Sequence, residues 1–297
     1  MNWLKKRWYF NRRNRSDIIS GYLFVSPWLI GLIVFTIVPI IQSFYYSLNV
    51  ATIQADTLDL DYIGFENFHR LLFVDARFPT LIALYVVEMV INIPIAIVFS
   101  LLIALLINQP IRGQGGWRVI FFLPVIIVSG PIIQELQAQG ATTLPILNDP
   151  TIRQVLTDYL PEALSNAVIS LLDNIIVILW YTGIPILIFL AGLQKIDRSI
   201  YEAASIDGAS PWESFWKITL PAMKPFMTVN IIYLLVVLSY DANLKGSEII
   251  DYIYEQSFSS IQGFGFGYGS AIAWLFFVVI VLLILLFVGI LNLQRNR

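Results

Sequence analysis

The chain is organised around one polar segment, which reads Tyr201-Glu202-Ala203-Ala204-Ser205-Ile206-Asp207-Gly208-Ala209 and is followed by Ile218-Thr219-Leu220-Pro221. This segment lies between two long apolar stretches. Its residues predict a helix, a glycine break and a second short helix. Nothing in it is typical of a catalytic site, so it is a stronger candidate for binding a partner protein. The alternative is an ordinary amphipathic loop on the lipid headgroups.

The first helix of the segment has a start signal and a stop signal. The side chain of Asp197 or Ser199 can cap a helix that begins near Ile200, because it can accept a hydrogen bond from a free N–H group of the first turn. Glu202 is then expected in the first turn, where the helix dipole favours a carboxylate. Gly208 is expected to end the helix, since glycine adopts the left-handed conformation without strain.

The second helix is expected to begin at Ser210-Pro211, because proline is favoured at the first helical position. Trp212, Phe215 and Trp216 share one of its faces. We expect Leu220-Pro221 to close the polar segment where the chain re-enters the bilayer.

The composition places the chain in a membrane. Of its 297 residues, 58% are hydrophobic and 13% are charged, whereas a soluble domain typically has roughly 25% charged residues. The absence of cysteine excludes thiol catalysis and cysteine-ligated metals, and the single histidine, His69, argues against a histidine-based metal site. We therefore expect no catalytic residues and no metal site.

The apolar runs predict an all-α polytopic membrane protein with six transmembrane helices. Each run is long enough to cross a hydrocarbon core of about 30 Å. Prolines inside the spans, among them Pro39 and Pro185, are expected to kink them. The spans are predicted at 20–48, 81–108, 117–138, 166–193, 222–242 and 268–292. They form a transmembrane domain, 20–292, between a basic tail at 1–19 and a short tail at 293–297.

The distribution of basic residues predicts the orientation. If both termini are cytoplasmic, the inner segments hold fourteen of the 18 lysines and arginines. Cytoplasmic loops are enriched in these residues, so the polar segment is expected on the inner side. The basic N-terminal tail, with its interleaved aromatic residues, is typical of a membrane-surface anchor. Nucleic-acid binding is the weaker interpretation, because no folded basic surface accompanies the tail.

Two outer segments are predicted to contain short amphipathic helices, at Thr151–Leu160 and at Ser247–Phe258. The first has apolar residues on one face and a capping aspartate, Asp149. It is expected to lie on the membrane surface or against a neighbouring subunit.

Two ionisable residues fall inside predicted spans, which is costly in a bilayer and typical of groups facing a cavity or the bundle interior. Glu88 and Asp173 each lie about eight residues from the outer end of a span, roughly 12 Å deep at 1.5 Å per residue. Three roles stay open: hydrogen bonding between helices, contact with a solute, and proton coupling. The candidate pathway residues are Glu88, Asn92, Asp173, Asn174, Trp180 and Tyr233.

The polar segment resembles the EAA loop of permease subunits of binding-protein-dependent ABC importers. That motif has a glutamate-alanine-alanine, a glycine four residues after the second alanine, and a terminal aliphatic-x-leucine-proline. In this chain the motif residues and their neighbours are Glu202, Ala203, Ala204, Asp207, Gly208, Ala209, Leu220 and Pro221. The resemblance implies that these residues couple the chain to a cytoplasmic ATPase.

The flanking sequences resemble the carbohydrate-importing, maltose-type branch of the same family. The similar stretches are Phe189–Ile196, Trp212–Pro221, Arg118–Pro124 and Pro27–Leu48. Asp197 departs from the pattern, because relatives commonly have proline there. The resemblance covers about residues 20–292 and implies import of a sugar or oligosaccharide across a prokaryotic inner or plasma membrane.

The resemblance also implies the partners: a second, similar permease subunit, two copies of an ABC ATPase and an extracellular or periplasmic solute-binding protein. The chain has no Gly-x-x-x-x-Gly-Lys-Ser/Thr pattern, so ATP and its magnesium are expected in the ATPase and no cofactor in this chain. Three alternatives are weighed: a permease for a non-sugar solute, an ion-coupled secondary transporter and a polytopic membrane enzyme. The transporter would normally have more spans and an internal repeat, and the enzyme lacks a catalytic constellation.

Overall fold

The computed structural model describes residues 2–54, 57–109, 181–240, 244–259 and 265–293, with single positions at 154, 158, 159, 165 and 169. The predicted span at 117–138 lies wholly outside these residues, the predicted helix Thr151–Leu160 lies mainly outside them, and half of the predicted span at 166–193 lies outside them. The chain divides into two compact units. The smaller comprises Met1–Asp75 and Tyr252–Leu275, and the larger comprises Ala76–Asp251 and Phe276–Arg297.

The smaller unit begins with a long, nearly continuous helix. It consists of α1 (Asn2–Leu32), a π-helical turn (Ile33–Ile37) and α2 (Val38–Ser47). The N–H of Val38 donates to the carbonyl of Ile33, five residues earlier. A proline cannot donate to the carbonyl four residues before it, and its ring crowds that carbonyl. The wider turn directly before Pro39 relieves this crowding, so the helix continues.

A β-hairpin follows, which the sequence analysis did not predict. Strand β1 (Asn49–Gln54) pairs antiparallel with β2 (Thr57–Tyr62), and Asn49 lies opposite Tyr62. They are the only strands among the described residues. The buried amide of Asn67, in α3 (Glu66–Phe73), donates to the carbonyls of Ser47 and Asn49 at 2.9 and 3.0 Å. It thereby fixes the start of the hairpin to the end of α2.

The larger unit has a helical core. Its main elements are α4 (Arg77–Asn108), α5 (Gly183–Leu193) and a later helix, Leu220–Leu238, labelled α8 below. Leu101, Phe189 and Met223 represent the apolar side chains buried where these three helices meet. Close contact is possible at Gly192, because a Cβ there would lie 2.7 Å from the Phe226 ring.

Four of the six predicted spans are confirmed as helices long and apolar enough to cross a membrane. They cover Asp17–Ser47, Arg77–Asn108, Pro211–Leu238 and Phe266–Asn292. The shorter apolar helix α5 corresponds to the inner end of the predicted fourth span. The all-α membrane fold is therefore confirmed, whereas the count of six spans and the division into tails and a transmembrane domain stay predictions.

Pro185 lies in the first turn of α5 rather than inside a described helix, as had been expected. Its missing N–H therefore leaves no helical hydrogen bond unmade.

Candidate functional site

The polar segment starts with a capped helix, α6 (Arg198–Ile206). The Asp197 side chain accepts the N–H of Ser199 at 2.9 Å, so the expected cap is confirmed at Asp197. This backbone hydrogen bond, followed by one from the Ser199 hydroxyl, lowers the pKa of Asp197. Asp197 therefore supplies a helix cap that a proline at this position could not supply, because proline has no side-chain hydrogen-bond acceptor.

The helix begins two residues earlier than predicted, at Arg198 rather than Ile200. Glu202 is consequently its fifth residue, and its expected place in the first turn is wrong. It instead pairs with Arg198, with 3.3 Å between Oε1 and Nε. Both side chains are exposed, so the pair contributes at most about 0.5 kcal/mol. Glu202 is therefore held only weakly by this pair.

Gly208 ends the helix as predicted, with φ at +80°. The N–H of Ala209 donates to the carbonyl of Ala204 at 2.9 Å, and the N–H of Gly208 donates to Ser205 at 3.1 Å. These two bonds form a Schellman motif, which requires a left-handed residue where Gly208 stands. The direction of the chain after α6 is therefore set by this glycine.

The second helix, α7 (Pro211–Ser214), begins as predicted with proline at its first position. The hydroxyl of Ser210 accepts the N–H of Glu213 at 3.2 Å, and the Glu213 carboxylate accepts the N–H of Ser210 at 3.0 Å. This reciprocal capping box was missed, although Ser-Pro-Trp-Glu is its Ser-x-x-Glu signature.

The expected end of the polar segment at Leu220-Pro221 is wrong. A π-helical turn, Phe215–Thr219, joins α7 to α8 (Leu220–Leu238), so the helix runs without a break from Pro211 to Leu238. The N–H of Leu220 donates to the carbonyl of Phe215, five residues earlier. The wide turn makes room for the Pro221 ring in the same way as at Pro39. The second helix of the loop and the following span are thus one element.

The two helices of the loop are also tied by a side-chain contact. The hydroxyls of Tyr201 and Thr219 lie 2.8 Å apart. Trp212, Phe215 and Trp216 form an aromatic cluster with ring centroids 5.2 to 6.2 Å apart. This confirms the predicted aromatic face of the second helix.

The surface that the loop presents carries small and polar residues beside exposed large apolar ones, namely Ile206, Trp212 and Trp216. Glu202, Ala203, Asp207 and Gly208 are exposed, and Ala204 and Ala209 are half-buried. The other side of the loop borders a cleft of about 600 Å³, whose lining includes Tyr201. The loop is therefore a pre-formed protrusion on which small side chains allow another surface to approach closely.

The structure places two of the candidate pathway residues on one face of α4. Glu88 is buried, with 9% of its surface exposed, and its Oε2 accepts the backbone N–H of Lys245 at 2.7 Å. Asn92, one helical turn further, is 3% exposed, and its Nδ2 has no hydrogen-bond partner among the described residues. Tyr233 is half-buried in α8. Asp173, Asn174 and Trp180 lie outside the described residues.

Two further buried polar groups were missed in the sequence analysis. Asn230 is fully buried in α8, and its Nδ2 donates to the carbonyl of Pro185 at 3.3 Å. For Asn230, the sequence signal available was a single amide side chain within an apolar run. In the smaller unit, the hydroxyls of Tyr252 and Tyr268 donate to one oxygen of Asp75 at 2.5 and 2.7 Å. No local pattern indicates that contact, because its partners are far apart in sequence.

Comparison with known proteins places this architecture. Residues 76–297 match the family described as "Binding-protein-dependent transport system inner membrane component". The chain is 30% identical to the "Probable ABC transporter permease protein YesP" of Bacillus subtilis (strain 168), over 75% of this chain and 71% of that protein. It is 32% identical to the "Lactose transport system permease protein LacF" of Rhizobium radiobacter, over 72% of this chain and 70% of that protein.

A solved structure has the same fold. It is a bacterial alginate ABC transporter in complex with alginate pentasaccharide-bound periplasmic protein. The TM-score is 0.62 at 20% identity, and the match covers 96% of this chain and 98% of that chain.

Proposed function

Because the chain belongs to the family of binding-protein-dependent transport system inner membrane components, we propose that it is the permease subunit of an ABC importer for a sugar or oligosaccharide. Membership makes the chain a transport component of the inner membrane rather than an enzyme. The likeness to a lactose permease supports a sugar as the solute. The fold of the alginate transporter is compatible with this proposal.

One observation carries the coupling part of the proposal: the polar loop and the span after it share a continuous helix of 28 residues, Pro211–Leu238. At 1.5 Å per residue this helix is about 42 Å long. A force applied to the loop therefore moves the span as a rigid body, which is a common way to alternate the access of a pathway. The glycine turn at Gly208 fixes α6 against this helix, so the exposed residues of the loop move with it.

The proposed docking residues are those of the EAA-like motif, with Glu202 and Gly208 at its centre. Ala203, Ala204, Asp207 and Ala209 present the small surface that seats in a groove of a cytoplasmic ATPase. Leu220 and Pro221 lie within the continuous helix and carry the movement into the span. ATP and magnesium belong to the ATPase, and this chain binds no cofactor.

The proposed assembly has this chain beside a second homologous permease in the inner membrane, above two ATPase copies. An extracellular or periplasmic solute-binding protein delivers the sugar. Both termini and the polar loop are assigned to the cytoplasm from the distribution of basic residues. The pathway residues proposed to contact the sugar are Asn92, Asp173, Asn174, Trp180 and Tyr233, and Glu88 is proposed to shape the pathway through the backbone N–H of Lys245.

Co-purification and transport test the proposal together. The permease is reconstituted in liposomes with the second permease, the ATPase and the binding protein that neighbouring genes encode, and uptake of a labelled sugar is measured with ATP inside. We expect uptake that requires all four proteins. Glu202→Ala should reduce recovery of the ATPase with the permease, whereas Glu248→Ala, an exposed glutamate outside the loop, should not. Uptake driven by an ion gradient without ATP would overturn the proposal.

A further inference from the structure

Glu88 caps a helix that lies far from it in the sequence. The helix α9 (Lys245–Ser257) begins at Lys245, whose backbone N–H has no partner within α9. The buried Glu88 carboxylate, in α4, accepts this N–H at 2.7 Å. A carboxylate is favoured at this position because the dipole of α9 is positive there. The Lys245 ammonium pairs instead with Glu248 of its own helix.

The start of α9 is also packed against the end of α8. A Cβ at Gly246 would lie 2.3 Å from the carbonyl oxygen of Ser239, the residue that follows α8. That oxygen belongs to the backbone, so it cannot move aside as a side chain can. Leu244 and Ile249 flank the contact and are 1% and 0% exposed. The first turn of α9 is thus held between α4 and the end of α8, all within the larger unit.

Helix α8 ends beside this contact, and the continuous helix to which it belongs begins in the polar loop. Pro211–Leu238 is continuous, so movement of the loop displaces the Ser239 end. Resting on the proposed function, we infer that Glu88 is a positioning residue: it holds the start of the outer helix α9 against the outer end of α8, so that α9 follows the coupling loop. Glu88 acts through the backbone of Lys245 rather than through the sugar or a transferred proton.

Cysteine alkylation tests this inference, because the native chain contains no cysteine. A single cysteine is introduced as Ile249→Cys, in the buried face of α9, and right-side-out vesicles containing the full importer are treated with a membrane-impermeant maleimide. Glu88→Ala should raise the rate of alkylation about tenfold, the factor expected when a hydrogen bond to a charged group is lost. Glu88→Gln should raise it less, because its amide oxygen still accepts an N–H.

A second variant keeps the test decisive if Glu88→Ala inserts poorly. Gly246→Ala leaves Glu88 intact but places a Cβ against the Ser239 carbonyl, so it should expose position 249 as well. Gly289→Ala is the matched control, because a Cβ there meets nothing within 4 Å. Asp251→Cys, at an exposed position, should react equally in every background. Full protection of position 249 in both Glu88→Ala and Gly246→Ala would overturn the inference.

Transport separates positioning from direct chemistry. We expect Glu88→Gln to keep most of the uptake, and Glu88→Ala to lower its maximal rate without changing the half-saturating concentration of loaded binding protein. Loss of uptake in Glu88→Gln with position 249 still protected would mean that the charge acts directly, and the inference would fail. If the wild-type importer shows no uptake, the proposed function fails, while the alkylation result still decides whether Glu88 positions α9.

Discussion

Replacing Gly208 tests the coupling loop without altering its contacts. The residue has φ of +80°, and a Cβ added to it meets nothing within 4 Å. Within this chain, an added Cβ therefore acts through backbone conformation and not through a clash. A left-handed conformation costs an ordinary residue roughly 1–2 kcal/mol, and more for a β-branched residue. Asn tolerates it better than other residues.

These costs predict an order of damage. A penalty of about 1–2 kcal/mol shifts the equilibrium between the formed and the unformed left-handed turn at position 208 by a factor of roughly 5–30. Gly208→Asn should retain most of the transport, Gly208→Ala less, and Gly208→Val should lose it. Because the turn is exposed, all three variants should insert in the membrane at the wild-type level.

The assay is ATP-driven uptake of the labelled sugar by the reconstituted importer, measured together with recovery of the ATPase on the permease. Gly64 supplies a matched control, because it also has a positive φ, +63°, but lies in the segment between β2 and α3. Gly64→Val should lower thermal stability by an amount similar to the effect of Gly208→Val, because both glycines have a positive φ. It should leave the ATPase bound to the permease. Wild-type transport in Gly208→Val, or equal damage from Gly208→Asn, would refute the reasoning.

Three further predictions concern packing, capping and a buried contact. Gly192→Ala should destabilise the helix core by about 1–3 kcal/mol, because its Cβ meets the Phe226 ring at 2.7 Å; the melting temperature in detergent measures this, and no change would contradict it. The cap at Asp197 stabilises α6 fully above the ordinary Asp pKa of about 3.9 and is lost as the pH falls through its lower folded value. The protection of the first-turn amides, measured as exchange relative to the intrinsic rate at the same pH, should therefore fall in acid, and should not fall in an Asp197→Ala variant. Tyr268→Phe should cost about 1.5–3 kcal/mol and Tyr252→Phe a similar amount, with more than additive loss in the double variant, because each single variant leaves the other hydroxyl on the same carboxylate oxygen.

The sequence alone predicts those structural features that depend on residues close together in the chain. A cap depends on one side chain and the N–H group two or three residues later, so the start and end of α6 could be predicted from Asp197 and Gly208. Long apolar runs likewise predict spans, because the bilayer thickness sets their length. The start was placed two residues late, since a cap at Asp197 and one at Ser199 could not be told apart by residue type.

The β-hairpin was missed although it carries a signal. Leu58-Asp59-Leu60-Asp61 alternates apolar and acidic residues, as a strand does. Pairing with a second strand and anchoring by Asn67 decide the conformation, and neither can be seen in the alternating segment alone.

The partner of Glu88 could not be predicted at all. Its burial followed from its place in an apolar run, but the N–H that it accepts belongs to a residue 157 positions away. The sequence left hydrogen bonding, solute contact and proton coupling open. The observed capping contact supplies a physical reason for the carboxylate without a solute.

The continuity of Pro211–Leu238 changes what the polar loop can do. A proline normally marks a break, and the sequence analysis accordingly ended the loop at Pro221. The π-helical turn adds one residue to the turn before that proline, which moves the crowded carbonyl away and keeps the helix intact. One extra residue also rotates everything before it by about 100° around the helix axis. The directions of the Trp212 cluster and of the Tyr201–Thr219 contact therefore depend on this turn. Under the proposed function, the surface offered to the ATPase is set by the same few residues that would transmit its movement.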